Sequence, residues 1–429
     1  MMINCVYNEH CRCGHRKEVT LMMILHSDAN CFYASVEMVE NPDLREQRIA
    51  VCGDPEQRHG IVLTANYPAK KMGVKTGMAN WQAKQACPNL VVVKPHYDLY
   101  LKYSKLLQRI YKRYSNNIEP SGMDECWISL PYDEDDAVSV AEEIRQTVKD
   151  ETGLTVSIGA SFSKALAKLG SDMKKPDALT VLRKSDFKEK CWDLPVSDLL
   201  YVGPRTTKKL HSMCISTIGQ LANAPTELIA HKFGKNGIMV QAFANGSDCS
   251  AVAPVDYSPA PKSIGHGATC TKDLEDNYSV WLALDELAQD VSHRMIANEC
   301  KTKAVHLYVK DNSFMYHEYI APIHYPTQSA AIIAQAAYEL FLLYYRWEKP
   351  VRALTITAAK LQDEKTPEQL DMFGDYLIYD KRNRLDRAID EIRNRFGKDA
   401  IQAACHCARK TMLATDKCES VKMPGMMYH

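Results

Sequence analysis

A chain of 429 residues is about three domains long, more than one hydrophobic core can organise. Its 46% hydrophobic and 25% charged residues exclude a disordered, collagen-like or coiled-coil protein. Balanced charge, 53 basic against 53 acidic residues, excludes a uniformly basic, histone-like binder.

Residues 1–22 are polar and aperiodic and read as a disordered extension ahead of a start at Met22 or Met23. That stretch has no apolar core of the signal-peptide kind, so secretion is not expected. The 15 cysteines are read as packing residues or thiols of a reducing, cytoplasmic compartment, without disulfides. Cys5, His10, Cys11, Cys13 and His15 carry metal-binding atoms but lack the paired spacing of a zinc site. The most apolar stretch, 330–345, is interrupted by Gln335 and Glu339, so no membrane helix is expected.

Order is predicted to begin with a strand at 23–25 that ends in Asp28. A helix follows, with Phe32, Val36 and Val39 at helical spacing and Pro42 closing it. Strands are expected at 49–52, 60–64 and 90–93, and helices from Pro68 and over 99–114. Between Arg58 and Ser115 the only acid is Asp98, against eleven basic residues, which suits a local polyanion site; a solvated helix face is the alternative for 102–113. Over 118–130, Cys126, Ile128 and Leu130 alternate as in a half-buried strand, and Gly122 allows a turn just ahead of Asp124 and Glu125. Helix 137–150, strand 154–160 and helix 162–172 complete a mixed α/β unit over 23–190.

Residues 191–253 read as short helices punctuated by Gly203-Pro204, Gly219, Pro225, Gly234 and Gly237, and the proline-rich 254–261 as a linker. Strands at 262–271, 304–309 and 354–361 with helices at 279–299 and 329–347 make an α+β unit over 262–362. The charged tail, 363–429, holds a helix at 383–396. The fold class is therefore α/β and α+β multidomain.

Asp28 and the pair Asp124-Glu125 stand at strand ends far apart in sequence. Carboxylates in an apolar setting need compensation, and hard divalent cations with oxygen ligands provide it. Taken singly, such acids also serve as caps or solvated turns. Adjacent strand residues face opposite ways, so Asp124 and Glu125 share a site only if the backbone turns, as Gly122 permits.

The strings HSDANCFYASVE, TANYPAKKMGVKTGM, GMDECWISL and SIGASFSKALAKLGSDMKKPDA, in this order, resemble the palm and fingers of the Y-family, or translesion, DNA polymerases. The likeness runs over about 22–362, through VGPRTTKKL and KSIGHGATCTKDL, and is nearest to bacterial DNA polymerase IV-like and UmuC-like proteins. It implies a right-hand polymerase with palm and fingers at 23–190 (fingers about 40–97), a thumb at 191–253 and a little finger at 262–362.

The resemblance also implies residue roles. Asp28, Asp124, Glu125 and the Ala29 carbonyl would bind two Mg²⁺, with Mn²⁺ as substitute, activating a primer 3′-hydroxyl and stabilising the pyrophosphate leaving group. Phe32 and Tyr33 would floor the incoming sugar, Tyr33 as the steric gate against a 2′-hydroxyl; without the family this pair reads as core. Thr64, Tyr67, Lys70 and Lys175 match triphosphate contacts, Lys70 standing where many relatives carry Arg and so losing the bidentate fork, with an exposed helix face as the other reading of Lys70-Lys71. Ser163 stands where relatives usually carry Asn.

Residues 199–221 resemble a helix-hairpin-helix, or an ordinary helical corner, in which Gly203, Arg205 and Thr206 would meet a DNA phosphate; Cys214 replaces a common Gly there. Gln369, Leu370, Met372 and Phe373 resemble the peptide that docks on bacterial sliding clamps.

The expected function is error-prone, template-directed DNA synthesis past damage, without proofreading. Primer-template DNA, deoxynucleoside triphosphates and a sliding (beta) clamp are the partners, with no membrane and a monomeric enzyme located in a bacterial cytoplasm, at the nucleoid during synthesis. Its rivals are another palm-type nucleotidyltransferase and a catalytically idle DNA-binding paralogue. Between 262 and 365 acids outnumber Lys plus Arg, so DNA contact there would need backbone amides and a charge-segregated strand face, with acids on the helical side.

Overall fold

The computed structural model of the protein describes residues 23–54, 60–257, 259–368, 376–407 and 413. The Cys/His run at 5–15 and Gln369–Phe373 of the clamp-like peptide lie outside the described residues. Twelve strands are present among them: β1 (Met23–Ala29), β2 (Ile49–Cys52), β3 (Val62–Ala65), β4 (Val91–Val93), β5 (Ile118–Ser121), β6 (Glu125–Leu130), β7 (Val156–Ser161), β8 (Leu179–Leu182), β9 (Ile264–Leu274), β10 (Cys300–Asp311), β11 (Tyr316–Thr327) and β12 (Val351–Asp363). They form three sheets, ordered β5-β6-β1-β7-β8, β3-β2-β4 and β11-β10-β12-β9.

In the first sheet β1 is central and buried at every position. The helices Tyr97–Tyr111 and Glu134–Thr152 pack over one face through Tyr100, Leu107, Ile144 and Val148. The helix Lys164–Met173 covers the other face, and its contact with β7 is extreme: a Cβ on Gly159 would stand 1.9 Å from the Ala167 carbonyl oxygen. Only glycine lets that helix lie so low. The expected strand over 118–130 is a hairpin, β5 and β6, turned at Gly122 with φ of 84°. The alternation in β6 does not mark half burial, because layers cover both faces and five of its six residues are buried.

The small sheet β3-β2-β4 packs on compact residues, among them Ala50, Cys52, Ala65, Ala69 and Ala83. Residues 187–246 build a helical core around Phe187, Leu210, Ile218 and Phe243 that also takes in Ala165, Leu166 and Leu169 of the helix Lys164–Met173. Cys214, where the hairpin resemblance would place glycine, adopts the left-handed conformation at φ of 61°. The start of the 254–261 linker is docked, since the Val255 amide donates to the Asn116 carbonyl at 3.0 Å.

Two strands were not expected from the sequence. β8 is a four-residue parallel edge, and β11 carries Pro322 and Pro326, which are tolerated because β11 is also an edge. The tail helix, expected at 383–396, begins at Tyr376. It lies on the helical side of the last sheet, where Asn383 Oδ1 accepts from Thr327 Oγ1 at 2.7 Å and His293 Nδ1 is 2.6 Å from Asp390 Oδ1. On the basic helix, Lys102 pairs with Glu40 at 3.5 Å and Arg113 with Glu151 at 2.5 Å, so these two cations belong to a solvated face.

Candidate active site

Strand pairing alone brings two of the three acids together: in the β1–β6 ladder Asp28 stands directly opposite Glu125. Asp124 occupies the turn just before β6, and its carbonyl accepts from the Ala29 amide at 2.9 Å, which fastens the β1 end to that turn. Gly122 therefore does what the sequence reading required, placing two consecutive carboxylates at one sheet end.

Two lysines lean into this cluster. Lys168 donates to Asp28 Oδ2 at 3.1 Å and to Glu125 Oε1 at 2.8 Å, and Lys175 donates to Asp28 Oδ2 at 2.8 Å. Asp172 joins them, 3.2 Å from Lys168 and 2.9 Å from Lys175. Beneath lies His26, fully buried, sharing a 2.9 Å hydrogen bond through Nδ1 with Ser171 Oγ and with Nε2 3.6 Å from Glu125 Oε2. Burial lowers the His26 pKa more than its acidic neighbours raise it.

The electrostatics are uneven. Burial pushes Asp124 up to about 7, helped by the charges of Asp28 and Glu125. Glu125 goes the other way, to about 2: burial opposes its charge, but His26 and Lys168 more than offset it. Both lysines are raised despite burial because the acids surround them. The ammonium groups thus bond Asp28 and Glu125, whereas burial and those two acids disfavour the charge of Asp124, which a further cation would restore. Three carboxylates with a strand-end backbone are the hard oxygen donors that fit a divalent cation.

Beside the acids, Phe32 is buried core while Tyr33 is half-buried. The Tyr33 ring stacks on Tyr100 with centroids 4.3 Å apart and planes 15° apart, and Tyr97 meets it edge-on at 5.9 Å. Tyr33 is thereby braced, and its hydroxyl donates to Met123 Sδ at 3.7 Å, one residue before Asp124.

Tyr67 comes across from the small sheet. Its hydroxyl is raised by burial and by Cys31, and it hydrogen-bonds near Cys31 and Asn30 at the β1 end. Its position follows from Asn66, whose Oδ1 caps the helix Tyr67–Lys71 by accepting from the Ala69 amide at 3.1 Å. Lys70 lies over the Tyr67 ring at 5.2 Å, and Thr64 is half-buried on β3.

The remaining residues stand elsewhere. Gly203 and Arg205 are exposed and Thr206 half-buried at the start of the helix Pro204–His211, within the helical core. Lys168, His26 and the Tyr100 stack went unassigned in the sequence reading. Lys168 had a legible signal, because Lys168, Asp172 and Lys175 recur at i, i+4 and i+7 in the quoted SKALAKLGSDMKKP segment.

The impB/mucB/samB family profile matches residues 27–172, and the C-terminal domain profile of the same family matches 261–372. A DNA polymerase IV of Acetivibrio thermocellus is 45% identical, over 89% of this chain and 96% of its own length. The chain belongs to this family of Y-family DNA polymerases. A second DNA polymerase IV, of Moorella thermoacetica, is 36% identical over 89% of this chain and 95% of its own. Among solved structures, a Y-family DNA polymerase chimera superposes with a TM-score of 0.71 at 19% identity, covering 80% of this chain and 99% of that one. DinB from Sulfolobus solfataricus gives 0.53 at 19%, over 79% and 98%. These structures share the right-hand Y-family fold. The carboxylate cluster falls inside the first matched segment, whereas the helix Tyr376–Phe396 lies beyond the second.

Proposed function

We propose that this protein is a template-directed DNA polymerase of the translesion class, adding deoxynucleotides to a primer 3′-hydroxyl without proofreading, at the site formed by Asp28, Asp124 and Glu125. One observation carries the site assignment: three carboxylates from β1 and the β5–β6 turn meet at a sheet end, flanked by Lys168 and Lys175. A rival palm-type nucleotidyltransferase is not favoured, given the DNA polymerase IV relatives that match along nearly their whole length. The intact acid cluster speaks against an idle paralogue.

The family depends on divalent metal, and the donor set fits two ions of the Mg²⁺ or Mn²⁺ kind on Asp28, Asp124, Glu125 and the Ala29 carbonyl. Bound there, they would supply activation of the 3′-hydroxyl and neutralisation of the departing pyrophosphate. The chain's own groups prepare that chemistry. His26 lies beneath Glu125, its Nε2 3.6 Å from Oε2, and Lys168 helps to keep Glu125 ionised. Tyr33, braced by Tyr100 and Tyr97, fills the space a ribose 2′-hydroxyl would need.

Tyr67, Thr64 and Lys70 receive the triphosphate from the small-sheet side, Lys70 as a point charge, and Lys175 reaches the same phosphates from beside Asp28. Gly203, Arg205 and Thr206 track a DNA phosphate, and Gln369, Leu370, Met372 and Phe373 engage a sliding clamp. The enzyme works as a monomer in the bacterial cytoplasm. No helix among the described residues is long and apolar enough to cross a membrane.

Primer extension tests the reading. Templated addition of deoxynucleotides that requires Mg²⁺ and continues opposite an abasic site is expected, and a protein that binds primer-template but extends nothing would refute it.

A further inference from the structure

Asp28 is crowded by positive charge. Its Oδ2 accepts from two ammonium groups, Lys175 at 2.8 Å and Lys168 at 3.1 Å. Asp28 is buried, and the two side chains are only 29% and 16% exposed, so little water screens the group. A divalent cation that takes this oxygen meets both ammonium groups at short range.

The two lysines are held differently. Lys168 lies inside the helix Lys164–Met173, which Gly159 seats directly on β7, and it is also bonded to Glu125 at 2.8 Å. Lys175 lies past the helix end, after Lys174 in extended conformation, and its other partner is the more exposed Asp172. An arriving polyanion can therefore draw Lys175 away far more readily than Lys168.

We propose that Lys168 and Lys175 are internal counter-cations of the carboxylate site before a metal binds, and that Lys175 exchanges between Asp28 and the phosphates of an incoming nucleoside triphosphate, so that nucleotide entry frees Asp28 for a divalent cation. This rests on Asp28, Asp124 and Glu125 being metal ligands. Lys175 is then a positioning residue with opposed effects: it retards metal binding to the free enzyme and promotes nucleotide binding. A residue that merely supports the fold would favour both.

The test is Mn²⁺ binding to the full-length protein without DNA or nucleotide, by calorimetry or by the electron paramagnetic resonance of free Mn²⁺. Lys175→Gln should bind Mn²⁺ about tenfold more tightly than wild type, as expected for removing a charge in direct contact with the ligand. Lys175→Arg, which keeps the charge, should not tighten binding. Lys168→Gln should also bind more tightly and should melt below wild type in EDTA, with the deficit removed by Mn²⁺. In primer extension, Lys175→Gln should show a raised nucleotide KM. Unchanged or weaker Mn²⁺ binding in both glutamine variants, each with a wild-type circular dichroism spectrum, would overturn the proposal. Asp124→Asn, run alongside, separates the two levels: if it leaves Mn²⁺ binding intact, the ligand assignment falls and the proposal with it.

Discussion

The first and last sheets treat charge in opposite ways. At the β1–β6 end, three acids and two lysines are packed into a few ångströms, and a helix seated on Gly159 holds the cations there. On the last sheet the open face spreads its charge thinly: Gly265 and Gly267 lie opposite Thr357 and Thr355, with His306, Tyr308 and Lys310 one strand over and Ile320, Glu318 and Tyr316 beyond them. Asp290 and Asp285 sit on the helical side, where Asp290 meets His266 at 2.9 Å and Lys398 at 3.1 Å, and Asp285 meets His406 at 2.8 Å, whereas Glu318 stands on the open face, 3.5 Å from His306. Chemistry needs concentrated, desolvated charge, whereas sliding along a duplex of any sequence needs a flat, backbone-rich surface. The acid excess between 262 and 365 is partly met on the helical side by Lys398 and His406 of the tail segment.

Each sheet can be broken separately. The largest effect is expected from Asp28→Asn or Glu125→Gln, which should lower single-turnover primer extension by at least about a thousandfold while DNA affinity, measured by anisotropy, stays near wild type. Next comes Gly159→Ala. The added methyl meets backbone that cannot move without lifting the helix, so a loss of about 2–4 kcal/mol is expected in urea unfolding, along with loss of activity. Gly265→Ala should behave differently, since its Cβ meets chiefly the Thr357 side chain, at 2.5 Å, and backbone only at 3.2 Å, the Ile356 carbonyl oxygen. It should fold, keep its turnover and bind DNA several-fold more weakly.

These contrasts also show what was legible beforehand. Asp28, Asp124, Glu125 and Tyr33 stand in short ordered words whose residue types carry the chemistry, and Gly122 announced the turn. Lys168 showed only its helical spacing with Asp172 and Lys175, because its role depends on Asp28, 140 positions away, and on Gly159 beneath its helix. Tyr100 reads as one apolar position of an amphipathic helix until Tyr33 is seen stacked on it. β11 escaped because its prolines and outward-facing Tyr316 and Ile320 belong to an edge strand, which composition alone does not distinguish from a loop.

Smaller effects sharpen the comparison. Tyr33→Ala should raise ribonucleotide over deoxynucleotide incorporation by about ten- to a hundredfold, read from competing single-nucleotide insertions; unchanged sugar discrimination would remove Tyr33 from the gate. The smallest is a pH effect in the tail. The hydrogen bond to Asp285 raises His406 above its ordinary value, with Glu286 adding to this and burial and Arg393 opposing it. A raised histidine contributes stability that is full below its unfolded value near 6.5 and is lost as pH rises through the folded value. Hydrogen exchange across 376–407 should therefore be slower, after correction for intrinsic rates, at pH 6 than at pH 8.5, and equal protection would dissolve that link.

The central claim is that the acids at the β1–β6 end perform the transfer while DNA is held elsewhere. Single-turnover extension by Asp124→Asn, with DNA affinity measured on the same preparation, tests it most directly. The account predicts undetectable extension with DNA binding within about twofold of wild type; substantial turnover by Asp124→Asn would contradict it.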